Sequence, residues 1–586
     1  MRKIFKYLKP FTPLFILAVL ILFLQVFCDL SLPNLMARLV NGILAINAPE
    51  NGSSENILGM GLEMLALALT GGAAAVSVSF LSTRIAAGIA RDLRFVVFQK
   101  VESFSSREFD TFSTASLITR CTNDINQVQG IFIMGIRMIC YAPIMGIGGI
   151  VMAVNKAPGM SWIIVLAVLV LILLVVVMVS LVMPKFKLIQ TLVDRMNRFA
   201  RETLNGLMVI RAFGAQDHEK KRFDGVNKDL TKTSLFVNRM MILQMPLMQF
   251  VMNSAIILII WTGAHRIAAS FMGVGDMMAF IQYTMQIIFS FLFFSMMFVM
   301  IPRTAVSADR IAQVLNTEVS IRDLETPAAA EKASSGTRRG GKVEFKNVSF
   351  RYEGAAEDAL KNISFTAESG QTTAIIGATG SGKSTVLNLI MRFYDVTGGN
   401  IALNGVDLRE LPQKQLRGGI GYVPQKSILL SGTAAFNLRY GKTDASDAEI
   451  REGAEIAQIM DYIEEKEEKF ESVIAQGGAN VSGGQKQRLS IARALIRDPE
   501  ILIFDDSFSA LDFATDARLR QALEEKRKEV TKIIVAQRVG TIMHADKIIV
   551  LEKGKIAGMG RHDELMEICA EYKEIAESQF SHGDIS

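Results

Sequence analysis

The chain has 586 residues, a mean hydropathy of +0.30 and a formal net charge of +5. That length allows several domains, and that hydropathy suits a membrane protein with a soluble domain attached rather than a soluble enzyme. The small basic excess does not point to nucleic acid, because the basic residues of the first half fall in loops between apolar spans.

Met1 to Pro10 carries Arg2, Lys3, Lys6 and Lys9 ahead of an apolar run. This resembles a signal peptide, but no small-residue cleavage site follows the run. Phe27, just before Cys28, is too bulky for a lipoprotein cleavage box. An interfacial amphipathic stretch and an uncleaved first span are therefore expected. Six apolar spans follow one another, at about residues 11–33, 57–80, 131–154, 161–183, 241–264 and 275–301. The fourth is the clearest: about 22 uncharged residues at ~1.5 Å each give about 33 Å, enough to cross a bilayer core. Six crossings leave both ends of the membrane region on one side.

Charge decides which side. Ser82–Gln129 carries Arg84, Arg91, Arg94, Lys100, Arg107 and Arg120, and Lys185–Arg239 is more basic still. The other loops carry little beyond Arg38, Lys156 and Arg266. The rule that basic loops stay inside predicts a multi-pass protein of the cytoplasmic (inner) membrane with both termini cytoplasmic. The two long segments keep a helical apolar spacing, so they read as spans continued into the cytoplasm. Reversals are expected near Phe109–Ser116 and Ala212–His218. Cys28, Cys121, Cys140 and Cys569 show no paired spacing and are expected to be reduced and structural.

Two features of the spans bear on cargo. The last span mixes Met277, Met278, Met285, Met296, Met297 and Met300 with Phe289, Phe291, Phe293, Phe294 and Phe298. Flexible thioethers and large apolar rings suit varied hydrophobic molecules. Asp29 lies in the outer half of the first span, where a capping or packing role at Pro33 is expected.

Residues 316–341, rich in Ala, Glu, Ser, Gly and Arg, read as a linker between a membrane domain over residues 1–315 and a soluble domain over 342–586. The soluble domain opens on an alternating strand, Lys342-Val343-Glu344-Phe345. Then comes Gly377-Ala378-Thr379-Gly380-Ser381-Gly382-Lys383-Ser384-Thr385, which fits the phosphate-loop pattern GxxxxGK[ST] at every fixed position. Apolar Thr373–Ile376 reads as the strand leading in, and Leu387–Ile390 as the helix leading out. Glycines let backbone N–H groups turn toward phosphate oxygens, and the helix N-terminus adds partial positive charge. Lys383 reaches the β- and γ-phosphates and the Ser384 hydroxyl ligates Mg²⁺. Bound ATP and Mg²⁺ are expected. About 100 residues on, Ser482-Gly483-Gly484-Gln485 opens a second helix, Lys486–Ile496. A hydroxyl, glycine N–H groups and a helix N-terminus make a second anion site there.

Taken together, the chain resembles the ATP-binding cassette (ABC) family over nearly its whole length, in the exporter arrangement of six spans, long cytoplasmic extensions, linker and one cassette. That resemblance implies an α-helical transmembrane domain followed by an α/β P-loop nucleotide-binding domain with a helical subdomain. It makes Ser482, Gly483, Gly484 and Gln485 the signature, which caps ATP held on a partner cassette; Val481 stands where Leu is usual. It makes Ile501–Asp505 the Walker B strand, with Asp505 on Mg²⁺, and Ser509-Ala510-Leu511-Asp512 the D-loop. Tyr352 becomes the aromatic that stacks on adenine, and Gln425 the Q-loop residue that senses Mg²⁺.

Two positions depart from the family pattern. Asp506 stands where Glu usually orients the attacking water, and Gln537, in Val535-Ala536-Gln537-Arg538, where His usually contacts the γ-phosphate. Asp is shorter than Glu by one methylene, roughly 1.5 Å, and a misplacement of about 1 Å can cost on the order of 10²-fold in rate. Gln donates a hydrogen bond but carries no charge. An intact signature beside a weakened Walker site resembles the degenerate-site half of a bacterial heterodimeric multidrug exporter. The expected partners are a second half-transporter chain, membrane lipids and a hydrophobic drug, lipid or peptide cargo. The alternatives are a slow homodimeric exporter and a non-transporting ATP-binding regulatory subunit.

Overall fold

The structure, a computed structural model, describes residues 4–46, 57–323 and 340–579. Much of the expected linker, residues 324–339, lies outside these, as do the side chains of residues 294–299, including Phe294, Met296, Met297 and Phe298. The described chain divides into two compact units. One comprises Met1–Glu102 and Thr114–Thr317; the other comprises Ser103–Ser113 and Glu318–Ser586.

The first unit is helical. Its elements are α1 (Thr12–Ile46), α2 (Ile57–Glu102), then α3 (Ser106–Phe112), which belongs to the second unit, α4 (Thr114–Cys121), α5 (Asn123–Gly135), α6 (Ala142–Lys156), α7 (Ser161–Asn205), α8 (Leu207–Ala212), α9 (Gln216–Ala268) and α10 (Val274–Asn316). Among the described residues, six helical stretches are long and apolar enough to cross a membrane. A helix satisfies its own backbone polar groups, which hydrocarbon demands of any spanning segment. The chain reverses around α3 and again between α8 and α9.

Packing here uses small residues and a few polar bonds. A Cβ on Gly275 would lie 2.2 Å from the Ala37 carbonyl oxygen, so only glycine lets α10 come this close to α1. The Asn41 side chain accepts from Gly275 N–H (2.8 Å), and Lys156 pairs with Asp276 (2.9 Å). A six-residue π-helical segment, Ile136–Tyr141, joins α5 to α6 and ends on Tyr141, whose hydroxyl donates to Asp29 Oδ2 (3.1 Å). The capping half of the expectation for Asp29 is corrected by this geometry. Helix α1 runs unbroken through Pro33, so Asp29 caps nothing; it bonds to a neighbouring helix.

The second unit is built on a sheet. Its strands are β1 (Val343–Phe350), β2 (Leu360–Ala367), β3 (Thr372–Ile376), β4 (Gly398–Leu403), β5 (Val406–Asp407), β6 (Ile420–Val423), β7 (Gly432–Thr433), β8 (Val473–Ile474), β9 (Ile501–Asp505), β10 (Thr531–Val535), β11 (Lys547–Glu552) and β12 (Lys555–Gly560). The main sheet runs β12-β11-β3-β10-β9-β6, parallel except for β12. A second, antiparallel sheet runs β2-β1-β4-β5. The cassette helices used below are α11 (Lys383–Ile390), α12 (Ala434–Arg439), α13 (Asp447–Ile456), α14 (Gly483–Ile496), α15 (Phe513–Lys526) and α16 (Ala570–Gln579).

Parallel strands bury both faces, and these read as continuous apolar runs for that reason. Alternate side chains feed two cores. Ile376, Leu502, Phe504, Ile534 and Val550 enter one with the helical subdomain (α12–α14). Ile375, Ile501, Ile503, Ile533 and Leu551 enter the other with α11 and the antiparallel sheet. Burying one such side chain stabilises by about 1.5–3 kcal/mol. The parallel register aligns Val535 with Asp505 and Ile375, and Val423 with Phe504. The C-terminal ends of β3, β6, β9 and β10 therefore form one edge, where sheets of this kind place their ligands.

Candidate nucleotide site

The loop Gly377–Thr385 leaves that edge from β3. A Cβ on Gly377 would fall 2.1 Å from the Leu551 carbonyl oxygen, so glycine is what seats the loop on β11. Gly382 has φ +104° and precedes α11, whose first turn then presents its backbone N–H groups. Gly380 has φ +83° with nothing within 4 Å of its Cβ position, and Thr379 is exposed beside it. Lys383 Nζ donates to the carbonyls of Gly377 and Ala378, both at 2.8 Å, curling over the loop that would hold a phosphate chain. Burial holds its ammonium below the ordinary lysine range, with the carboxylates of Asp506 and Asp505 opposing. Ser381 Oγ is buried inside the loop without a hydrogen-bond partner, the kind of orphan a phosphate oxygen satisfies.

Asp505 ends β9, and its Oδ1 accepts from Ser384 Oγ at 3.2 Å. A hydroxyl and a carboxylate meeting at the head of α11 is a donor set suited to Mg²⁺ carried on phosphates. Burial pushes the Asp505 carboxyl up, and Asp506 adds to this; the Ser384 bond and Lys383 pull it back. A cation delivered here would relieve that burial cost. Tyr352 closes the opposite side: its hydroxyl lies 3.1 Å from Thr385 Oγ1, and its ring meets Phe350 and Tyr394 edge-on.

The two departures from the family pattern meet in space. Gln537 Nε2 donates to Asp506 Oδ2 at 2.9 Å, and Gln425 Nε2 reaches the same oxygen at 3.4 Å. In this arrangement Gln425 sits on Asp506 rather than on Ser384 or Asp505. Asp506 has φ +48°, a region Asp tolerates better than most residues. Its N–H bonds to Val535 O and its carbonyl accepts from Ser509 Oγ, so the backbone under the carboxylate is held from both sides.

Ser482 and Gly483 stay open to solvent. Ser482 caps α14 in a reciprocal box, accepting from Gln485 N–H while its own N–H bonds to Gln485 Oε1 (3.0 Å). A Cβ on Gly484 would lie 3.3 Å from Ala510 O, so the signature packs on the D-loop segment. Asp512 caps α15 through Thr515 N–H (2.9 Å). None of these signature groups bonds to the loop at Gly377–Thr385 among the described contacts.

One group of residues was not legible beforehand. Arg107 on α3 makes a two-pronged bond to Glu353, both arms 2.5 Å, next to Tyr352. Tyr394 donates to Asp110 at 2.7 Å. Glu108 is buried; burial pushes its carboxyl up, but bonds from Ser105 and Ser320 outweigh this and hold it low. Around these residues lies a cavity of about 710 Å³ that also touches Tyr352. The pairs join positions more than 200 residues apart, and no motif marks them.

Comparison with known proteins identifies related chains and a related fold. The chain matches the family model of the ABC transporter transmembrane region over residues 15–291 and that of the ABC transporter over residues 360–509. It is 37% identical to the uncharacterized ABC transporter ATP-binding protein YfiB of Bacillus subtilis, over 99% of both chains. An uncharacterized ABC transporter ATP-binding protein of Mycobacterium tuberculosis is 36% identical over 98% of this chain and 97% of its own length. The ATP-dependent lipid A-core flippase of Hahella chejuensis is 30% identical over 99% of this chain and 97% of its own. Among solved structures, a bacterial Atm1-family ABC exporter with ATP bound superposes with a TM-score of 0.79 at 24% identity, covering 98% of this chain and 99% of that one.

Proposed function

The chain belongs to the ABC transporter family, and from that premise we propose that it is one half of a heterodimeric exporter. It moves hydrophobic or amphipathic molecules (drugs, lipids or peptides) across the cytoplasmic membrane by alternating access, with both termini on the cytoplasmic side. Its own Walker site holds ATP and hydrolyses it weakly. The observation that carries this reading is the occupied carboxylate of Asp506, tied to Gln537 and Gln425 while Ser482 and Gly483 of the signature stand open.

Each residue has a role in this reading. Backbone N–H groups of Gly377–Thr385 cradle the phosphates, Lys383 turns from the loop carbonyls to the β- and γ-oxygens, and Tyr352 stacks on adenine. Ser384 and Asp505 would hold Mg²⁺, which neutralises phosphate charge when bound, with Gln425 lying on Asp506 beside them. Asp506 and Gln537 face the attacking water. Asp506 is a short base, and Gln537 offers an uncharged donor where an imidazolium stabilises charge better. Ser482, Gly483, Gly484 and Gln485 complete a site on the partner, with Asp512 alongside.

Exposed apolar side chains support a second chain. Met208 and Phe213 around α8 are 80% and 82% exposed, and Phe513 beside the D-loop is 83% exposed. An apolar cavity of about 290 Å³ between α9 and α10, lined by Met245, Met248, Met252, Ile288, Phe289 and Leu292, supports a hydrophobic cargo. The lipid named for the Hahella relative makes lipids one cargo class to test first.

The test is purification of the tagged chain from its native membranes in mild detergent, followed by native mass analysis. A stoichiometric second chain of similar size, with Glu after its Walker B Asp, is expected. A dimer of this chain alone would sink the heterodimer, and Asp506 would then be the working base of a slow homodimer.

A further inference from the structure

We propose that Gln579, at the C-terminal end of α16, is a positioning residue that sets the backbone carrying Gln537, so that the last helix of the cassette governs the switch segment. The proposal rests on the reading that ATP sits at Gly377–Thr385.

The geometry is a two-bond staple. Gln579 Nε2 donates to the carbonyl oxygen of Gln537 at 2.8 Å, and Gln579 Oε1 accepts from the N–H of Val539 at 2.8 Å. A donor and an acceptor two residues apart on one edge are what a neighbouring strand would engage. Here a single side-chain amide does so, where the chain has left β10. The two bonds hold the peptide groups on either side of Arg538, and the first of these, between Gln537 and Arg538, also helps to set the direction of the Gln537 side chain. That side chain in turn donates to Asp506 Oδ2.

Helix α16 is itself firmly seated. Tyr572 and Ala576 are fully buried in the same core as Val539 and Ile542, and the Tyr572 hydroxyl lies 2.8 Å from His562 Nδ1. The staple is thus anchored on a rigid element rather than on a loop, the condition for holding a group to the tolerance catalysis needs. A shift of α16 along its axis would carry the Gln537 carbonyl with it and change how far the side-chain amide reaches. Gln579 itself is exposed, so no packing demand explains its two bonds. Its role is in placement.

Two measurements on the full-length chain with its partner decide the matter. First, hydrogen exchange of the segment 536–541 without nucleotide: Gln579→Ala should speed exchange of the Val539 amide about three- to tenfold, the loss of one hydrogen bond. The strands β9 and β10 should stay unchanged. Gln579→Glu keeps the acceptor for Val539 but lacks the donor to Gln537, so it should fall between. Unchanged exchange in both variants overturns the proposal. Second, steady-state ATPase in the Asp506→Glu, Gln537→His background: Gln579→Ala should lower kcat about three- to tenfold with KM for ATP little altered. Faster exchange with an unaltered kcat overturns the positioning role. If the background variant shows no ATPase gain of its own, the weak-site reading fails, and the exchange result still decides this proposal by itself.

Discussion

Gln537 donates to Oδ2 of Asp506 at 2.9 Å, so the side chain in place of the family's switch histidine binds the one in place of its glutamate. The two departures are therefore not independent. The amide occupies a lone pair that a general base would turn to water, and Gln425 approaches the same oxygen. Replacing both should release the site: Asp506→Glu with Gln537→His is expected to raise the ATPase of the isolated chain on the order of tenfold or more. Phosphate release from the purified chain measures it. No rise would mean that another feature disables the site.

Lys383 spends its hydrogen bonds on the loop's own carbonyls, at 2.8 Å each. Lys383→Ala should weaken ATP binding about 10- to 100-fold, the worth of a charge-assisted contact to phosphate. Lys383→Arg should not restore it, since a planar fork does not fit where a point charge sat. Titration with a fluorescent ATP analogue checks both. Near-normal affinity for either would remove Lys383 from the phosphate contact.

Asp505 makes a prediction with a defined sign. Burial raises its carboxyl above the unfolded value. A carboxyl raised this way withdraws stability as pH climbs from the ordinary carboxylate value to the raised one, and the loss persists at neutral pH. Asp505→Asn should then raise the melting temperature of the nucleotide-free protein while abolishing the extra stabilisation that Mg²⁺ adds to ATP. Thermal unfolding with and without Mg²⁺ reads both. A lower melting temperature in the nucleotide-free state would contradict the burial argument.

Arg107 and Glu353 are about half exposed, so solvent screening leaves their pair little to add to stability despite good geometry. Arg107→Ala combined with Tyr394→Phe should therefore leave the melting temperature within a few degrees. It should also loosen α3, because the side-chain ties of that helix to Glu353 and Tyr394 are gone. Limited proteolysis at Ser103–Ser113 should speed up. Unaltered cleavage would show that Glu108, through Ser105 and Ser320, suffices to hold the helix.

The sequence by itself determined what contiguous residues can carry. A bilayer fixes the length of an uncharged span, and a phosphate loop or a helix-capping signature fixes its own backbone within a few residues. Hence the six spans, Gly377–Thr385 and Ser482–Gln485 could be read directly, and so could the family. What only the tertiary structure decided is where separate stretches meet. Gln425, Asp505, Asp506 and Gln537 converge because β6, β9 and β10 run parallel with their C-terminal ends in register, and no local pattern encodes that alignment. Arg107 finds Glu353, Tyr141 finds Asp29, and Gln579 finds the backbone of Gln537 for the same reason. A hydrogen bond between distant residues depends on how whole elements pack, and packing is settled by the buried cores, not by the residues that finally touch.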